Sequence, residues 1–413
     1  MNQNIRTGLI GLGRIGWNFH ACEIDKHEYF DLISVSDLRN DFLKEGISKY
    51  QCKGYSNYQE MIDNDALDLV VIASPTILHY PMLISCLESG KNVICEKPLV
   101  LNYKEALHIK EISIKNNCIL TTYQPRRLSG YFQNILSLIE NDQIGDVFWV
   151  HFSDFRYSIR NDWQSLKKYG GGMLRNYGAH FIDQMLKIIG YDIKDISCLL
   201  VKNITLGDAE DLVKIICVTT NNVIGEITIN QGSPINPYEL IVWGKQGTIT
   251  YHNDKIKLTE YDPNSIKIQK LDHNLFSENR KFPFHELDIN TREIKVNQGD
   301  GINLYDDFAR AFYKKEQPTV KIDETLEVVK FIDECFATTS NDLPKVEPIF
   351  LTASIPASAP LLFFLSAVPL KVAIASCSCV ILCAKSADNA LPISSSTEAA
   401  SAISSPGSFF FFN

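Results

Sequence analysis

Short apolar runs alternate with stretches of helical spacing through the first 123 residues of the chain. The runs lie at residues 7–10, 32–36, 67–73, 92–95 and 118–122. Nearly continuous apolar strands that are separated by helices are typical of a parallel sheet covered on both faces. The pattern therefore predicts a doubly wound α/β domain over residues 1–123.

The hydrophobic pattern changes after residue 124, where strand-like segments follow one another with short connections. These segments are 147–155, 198–202, 213–219, 223–230, 238–242, 247–251, 256–258 and 266–271. Apolar and polar positions alternate in 223–230, which leaves one face of that strand in water. Helices are predicted at 130–140, 174–189, 304–312 and 326–336. Residues 124–347 thus predict a second, α+β domain with a large open, mainly antiparallel sheet.

The last 66 residues, 348–413, have a different composition. They contain four charged side chains, whereas the preceding 347 residues contain 85. The uncharged stretch 348–370 has the length of a membrane span, about 20 residues. Three prolines interrupt it, however, and Ser and Ala dilute its hydrophobicity. The sequence favours a disordered extension or a foreign segment over a membrane span.

The net charge of −9 argues against a nucleic-acid-binding protein, which normally carries a basic excess. The 11 cysteines include no CxxC pair, so we expect reduced thiols and no metal site. The polar start of the chain lacks the pattern of a signal peptide. These observations predict a cytoplasmic protein.

A glycine-rich turn follows the first strand and opens a helix. Gly11 permits the tight turn, Gly13 lets the backbone approach a pyrophosphate, and Gly16 permits close helix–strand packing. The intervening Arg14 and Ile15 are predicted to contact the cofactor as well. The turn therefore predicts a Rossmann dinucleotide-binding domain.

Asp37 follows Gly16 by 21 positions and ends the next strand. Its carboxylate fits a ribose 2′-hydroxyl and would repel a 2′-phosphate. Arg39 could receive a 2′-phosphate, so the sequence favours NAD and leaves NADP open.

Three further segments end strands at the edge where the ligand crevice is expected. They supply the predicted cofactor contacts Ser74, Pro75, Thr76, His79, Glu96, Lys97 and Gln124. For Thr76 a structural turn with a helix cap is an equal alternative. Of the neighbouring Arg126 and Arg127, one is expected to be only a surface charge.

Glycines at 170–172 precede a second cluster of polar residues. Asn176 and His180 are four apart, so they share one helix face. Asp183 is three residues further on and could orient the imidazole. The alternative for His180 is a structural histidine.

These motifs together resemble the Gfo/Idh/MocA family of sugar and polyol oxidoreductases. The resemblance covers residues 5–345 and rests on the glycine turn, the Glu96-Lys97-Pro98 segment and the glycine run with Asn176 and His180. It implies a Rossmann domain, a second domain with a large open sheet, a nicotinamide cofactor, and homodimers or homotetramers packed through that sheet.

The resemblance also implies a catalytic set of Lys97, His180 and position 176. Position 176 is Asn here, in place of the commoner Asp. An amide can hold a substrate hydroxyl but cannot take a proton at pH 7, so Lys97 and His180 would carry the proton. The predicted substrate contacts are Lys97, Arg127, Arg160, Trp163, Asn176, Tyr177 and His180. For Arg160, Trp163 and Tyr177 a structural role is an equal alternative.

The motifs and the family resemblance support two possible functions. The first is an NAD(P)-dependent dehydrogenase or reductase that acts on a secondary alcohol or ketone of a sugar, inositol or related polyol. The alternative is an NAD(P)-binding protein of the same fold without turnover, for which Asn176 is the support.

Overall fold

The computed structural model describes residues 3–265, 271 and 286–339. Its first sheet contains the parallel strands β1 Ile5–Ile10, β2 Phe30–Ser36, β3 Lys53–Tyr55, β4 Leu69–Ile72, β5 Asn92–Glu96 and β6 Leu120–Tyr123. Their order is β3-β2-β1-β4-β5-β6, so the direction of winding reverses between β1 and β4. Ligands of doubly wound sheets bind at this reversal, beyond the carboxyl ends of the strands.

Helices cover both faces of this sheet, as the apolar strands predict. A π-helical turn, Gly16–Ala21, continues as α1 Cys22–Lys26. The other helices are α2 Asn40–Tyr50, α3 Tyr58–Asn64, α4 His79–Glu88 and α5 Tyr103–Lys115. Val70 and Ile72 of β4 enter one apolar core, whereas Leu69 and Val71 enter another on the opposite face. This two-sided burial explains why the strand has no polar positions.

The second sheet contains eight strands and is mainly antiparallel, as predicted. The strands are β7 Val147–Phe155, β8 Ile193–Val201, β9 Leu212–Thr219, β10 Ile224–Asn230, β11 Leu240–Gly244, β12 Gly247–His252, β13 Lys255–Tyr261 and β14 Ile289–Lys295. Their order is β14-β13-β12-β11-β7-β10-β9-β8, and the central β7 and β10 form the parallel pair. Of the predicted strand 266–271, residues 266–270 lie outside the described residues, and Leu271 is not in a strand.

Helices pack on one face of this sheet. They are α6 Pro125–Leu128, α7 Gly130–Glu140 and α8 Ala179–Ile189, the last preceded by a π-helical turn over Leu174–Gly178. Phe132 of α7 and Met185 of α8 join the core that the sheet builds. The opposite face carries Trp149 and Trp243, whose ring centroids are 4.7 Å apart, and Ile216, which is 43% exposed.

Two closing helices, α9 Leu304–Lys314 and α10 Ile322–Thr338, return to the first domain. Tyr305 and Phe308 of α9 are buried in the core around β1. In α10, Val329 enters the first domain's core, whereas Val328 and Phe331 enter that of the second domain. The predicted range 124–347 had placed both helices in the second domain. Apolar periodicity reveals that a helix has a buried face but not which core the face joins.

The predicted tail, 348–413, lies outside the described residues. Among the residues that the structure describes, no helix is both long and apolar enough to cross a membrane. All eight cysteines of the described residues are free thiols.

Candidate active site

The glycine turn after β1 leaves open space at one of its three glycines. Gly11 has a φ of +96°, and a Cβ there would lie 2.7 Å from the Ala73 carbonyl oxygen. A Cβ on Gly16 would lie 1.9 Å from the carbonyl oxygen of Gly11. A Cβ on Gly13, in contrast, would meet no described atom within 4 Å. The backbone is thus closely packed around Gly11 and Gly16 and open at Gly13. This arrangement fits a pyrophosphate that lies against the backbone at Gly13.

Asp37 lies at the end of β2 and is joined to the glycine turn. Its Oδ2 accepts the Leu12 N–H at 2.7 Å, and its Oδ1 accepts the Arg39 N–H at 2.8 Å. The Arg39 guanidinium donates to Asp41 and lies 3.8 Å from the centroid of the Phe42 ring. The charge of Arg39 therefore already has a carboxylate partner, which weakens the case for a bound 2′-phosphate.

Lys97 follows β5 and reaches the second domain. Its Nζ donates to the Asn176 carbonyl oxygen at 2.8 Å and to Asn176 Oδ1 at 3.1 Å. Burial lowers the pKa of Lys97 to about 8; Glu96 opposes this shift, and the charges of Arg126 and Arg160 add to it. An amine with this pKa is partly neutral near physiological pH and can accept a proton.

His180 lies in the first turn of α8 and is buried. Its Nδ1 is 3.1 Å from Gln124 Oε1. Because an amide oxygen only accepts, Nδ1 carries the hydrogen, and Nε2 keeps its lone pair. Burial and the nearby charges of Lys97 and Arg126 lower the pKa of His180 well below its usual value. The imidazole is therefore neutral and oriented by Gln124.

The predicted pairing of Asp183 with His180 is wrong. Asp183 instead accepts hydrogen bonds from Arg127, at 2.8 Å from Nε and 2.5 Å from Nη2. The third guanidinium nitrogen of Arg127 donates to Glu324 of α10. Arg127 is only 1% exposed, and these ion pairs occupy it fully. This placement is incompatible with the predicted substrate contact of Arg127.

The neighbouring Arg126 has the position that was expected for Arg127. It is partly exposed, and its guanidinium carbon lies 4.9 Å from the centroid of the Phe181 ring. Its charge lowers the pKa of both Lys97 and His180. Adjacent arginines in one short helix carry no sequence signal that tells the buried one from the exposed one.

Arg160 and Asn176, two other predicted substrate contacts, are engaged in polar pairs. Arg160 donates to Asp162 through Nε at 3.0 Å and Nη2 at 2.5 Å, and Arg14 Nη2 of the glycine turn lies 3.6 Å from the same carboxylate. Asn176 Nδ2 donates to Gln164 Oε1 at 3.0 Å.

Trp163, the neighbour of Asp162, begins a one-turn helix and is half-buried. Tyr177 is half-buried too, and its hydroxyl accepts a hydrogen bond from Arg156 Nη1 at 2.9 Å.

His79, a predicted cofactor contact, has a structural position. Its Nδ1 lies 3.0 Å from the Pro98 carbonyl oxygen, and its Nε2 lies 2.9 Å from that of Ser74. The side chain is 1% exposed, and burial lowers its pKa. His79 therefore joins the turns after β4 and β5 and does not itself face a ligand. Thr76 is also buried and begins a one-turn helix, Thr76–Leu78.

A buried chain of three side chains, which the sequence did not reveal, supports the turn that carries Lys97. His20 Nε2 lies 3.1 Å from Glu96 Oε1, and His20 Nδ1 lies 2.8 Å from the Tyr305 hydroxyl. The second oxygen of Glu96 accepts the Lys97 N–H at 3.2 Å. Glu96 is thus committed to its protein partners and fixes the direction in which Lys97 leaves the strand.

Comparison with known proteins agrees with this geometry. Residues 5–124 match the family model of the oxidoreductase family with an NAD-binding Rossmann fold, and residues 132–250 match the GFO/IDH/MocA C-terminal domain. The chain belongs to the GFO/IDH/MocA family. The first domain is accordingly an NAD-binding Rossmann domain, and the open position over Gly13 fits that cofactor.

The relatives include two inositol dehydrogenases. The chain is 31% identical to myo-inositol 2-dehydrogenase of Thermotoga maritima over 46% of its own length, a match that covers 57% of that protein. It is 26% identical to scyllo-inositol 2-dehydrogenase (NADP(+)) IolW of Bacillus subtilis over 45% of its length, a match that covers 52% of that protein. The chain thus spans about half the length of the curated relatives it matches.

A solved structure of an NAD-binding protein from Listeria innocua has the same fold. It superposes with a TM-score of 0.71 at 22% identity, over 82% of this chain and 97% of that one.

Proposed function

We propose that this protein is an NAD-dependent dehydrogenase or reductase that acts on a secondary alcohol or ketone of a sugar, inositol or related polyol. The observation that carries the proposal is a desolvated Lys97 in the same cleft as a neutral His180, next to an NAD-binding glycine turn. The two inositol dehydrogenases among its relatives support the substrate class.

The proton chemistry follows from the two side chains. NAD held at the glycine turn and Asp37 would supply the hydride acceptor for the alcohol carbon. Lys97 Nζ in its neutral form, or Nε2 of His180, takes the proton of the same hydroxyl as the carbonyl forms. In the reverse direction the protonated group returns that proton to the ketone oxygen. Either group can act as the base, because His180 is neutral and Lys97 is partly neutral near physiological pH.

Asn176 has a positioning role in this scheme. Its Oδ1 accepts a hydrogen bond from Lys97 Nζ, while its Nδ2 is held by Gln164. The amide thus keeps the amine directed across the cleft without taking a proton itself. The alternative function, NAD(P) binding without turnover, would follow if this amide cannot replace the commoner carboxylate.

The cofactor preference and the assembly are also part of the proposal. Asp37, the acidic residue at the end of β2, favours NAD over NADP. The face of the second sheet with Trp149, Trp243 and Ile216 would pack in a homodimer or homotetramer, because large apolar patches mark protein interfaces. The free thiols of the described residues fit a cytoplasmic location.

The test is a spectrophotometric screen of the purified protein with NAD or NADP against a panel of sugars and inositols. We expect NAD reduction with at least one polyol, and faster turnover with NAD than with NADP. Cofactor binding in calorimetry with no reduction across the panel would favour the protein without turnover.

A further inference from the structure

A cavity of about 320 Å3 opens beside the first turn of α8. The end of β7 and the residues Arg126 and Phe181 line it, and Phe181 is the chain neighbour of His180. Its volume lies at the lower end of the range for small-molecule sites, about 300–1,000 Å3. The aromatic rings of Tyr131 and Tyr251 form part of the wall.

Asp154 in this cavity has a carboxylate oxygen without a partner. The residue is 6% exposed, and its Oδ1 accepts a hydrogen bond from Arg156 Nε at 3.0 Å and another from Nη2. Its Oδ2 is buried and has no hydrogen-bond partner among the described residues. Buried polar atoms are almost always paired, so this oxygen indicates the place of a ligand donor such as a hydroxyl.

Arg126 is the second unusual group of the cavity. The charge of Arg156 is balanced by Asp154, whereas no carboxylate of the described residues lies within 4 Å of the Arg126 guanidinium. Glu239, the other acidic residue of the lining, instead accepts the Asn253 N–H at 3.0 Å. A guanidinium without a carboxylate partner, lying against an aromatic ring, binds carboxylate or phosphate through two parallel hydrogen bonds.

We propose that this cavity holds the part of the substrate remote from the reacting carbon, and that the substrate carries a carboxylate or phosphate there. Arg126 binds the anionic group, and Asp154 Oδ2 accepts a hydrogen bond from a neighbouring hydroxyl. This inference rests on the proposed function, since it names the substrate class of that site. Arg126 connects the two regions: it lines the cavity, and its charge reaches Lys97 and His180.

The test measures binding rather than turnover. Wild-type protein saturated with NADH is titrated by calorimetry with D-glucose, D-glucuronate, D-glucose 6-phosphate, myo-inositol and myo-inositol 1-phosphate. We expect at least one anionic ligand to bind about 10-fold more tightly than its neutral partner. The carboxylate and phosphate arms show which anion the cavity prefers.

Variants then assign the preference to residues. Arg126→Gln should bring the affinity for the anionic ligand down to that for the neutral one, and Asp154→Asn should weaken both. Arg292→Gln, which removes a guanidinium from the exposed strand β14, is the matched control and should keep the preference.

Equal affinity across each pair, no binding of any of the five ligands, or a preference that survives Arg126→Gln would overturn the inference. The proposed function is judged separately, by NAD reduction. If neutral polyols are oxidised while anions gain no affinity, the function stands and the anionic substrate class is rejected. If anions bind through Arg126 but no polyol is oxidised, the anion-binding cavity is supported and the proposed dehydrogenase function is rejected.

Discussion

Replacement of Lys97 by Met separates catalysis from folding. The substitution keeps an aliphatic stem of similar length and removes the amine. Without this proton acceptor we expect turnover to fall by about 10²-fold or more, in line with general acid–base contributions. Cofactor affinity should change far less, because the glycine turn and Asp37 are untouched.

The same variant should not lose stability. The pKa of Lys97 is about 8, against 10.5 for an exposed lysine, so the buried ammonium costs the folded protein about 3 kcal/mol below pH 8. Between pH 8 and 10.5 the unfolded chain binds the extra proton, and this penalty disappears as the pH rises. Met removes the penalty but also two hydrogen bonds from the ammonium to Asn176, each worth about 1.5 kcal/mol, the lower end for a bond from a charged group. At pH 7 the two effects therefore cancel, and we expect no net change in stability.

The assay combines steady-state kinetics with thermal unfolding. For the wild type, kcat/KM of alcohol oxidation should rise with pH through about 8, as Lys97 loses its proton, and Lys97→Met should lack this inflection. Lys91→Met is the matched control, because Lys91 precedes the same strand and donates to the Leu67 carbonyl oxygen. Full turnover by Lys97→Met, or a fall of its Tm at pH 7, would refute this reasoning.

Four further substitutions test the site and its supports. His180→Asn should lower kcat by about 10²-fold with little change in the Kd of NAD, and unchanged kcat would exclude a proton role for this imidazole. Asn176→Asp should keep activity and raise the pH at which Lys97 loses its proton, because a carboxylate favours the ammonium; an unaltered pH profile would contradict this. Asp37→Ser should improve the Kd of NADP relative to NAD, and an unchanged ratio would show that Asp37 does not select the cofactor. Arg127→Met leaves the buried Asp183 carboxylate without its cation, so urea unfolding should report a loss of about 3–5 kcal/mol, and a loss below 1 kcal/mol would argue against the ion pair.

The sequence predicted the elements whose burial is uniform or strictly alternating. All five apolar runs of the first domain became strands, because burial on both faces leaves a strong local signal. Two strands, β3 and β14, were not predicted from the sequence. β3 has three residues, and the side chains of β14 are almost all exposed, so neither shows an apolar pattern.

Within the site, the location of a side chain was easier to predict than its hydrogen-bond partners. Lys97 was expected at a strand end, and it directly follows β5 with its amine donating to Asn176. The partners of Asp183 and His20, however, lie 56 and up to 285 residues away in sequence. Helical spacing predicted His180 as the partner of Asp183. The carboxylate instead binds the guanidinium of Arg127, which is distant in sequence, because that bond is charge-assisted. The tertiary fold determines which of several distant groups a side chain binds, and local sequence spacing holds no information about that choice.

We expect the closing helix α10 to make the two domains unfold as one cooperative unit. Its Val329 completes one apolar core, and Val328 and Phe331 complete the other. Neither domain can therefore open fully without exposing apolar surface that belongs to its neighbour. Amides in the central strands of both sheets should consequently exchange with solvent through the same global opening, with a common free energy, rather than in two separate steps.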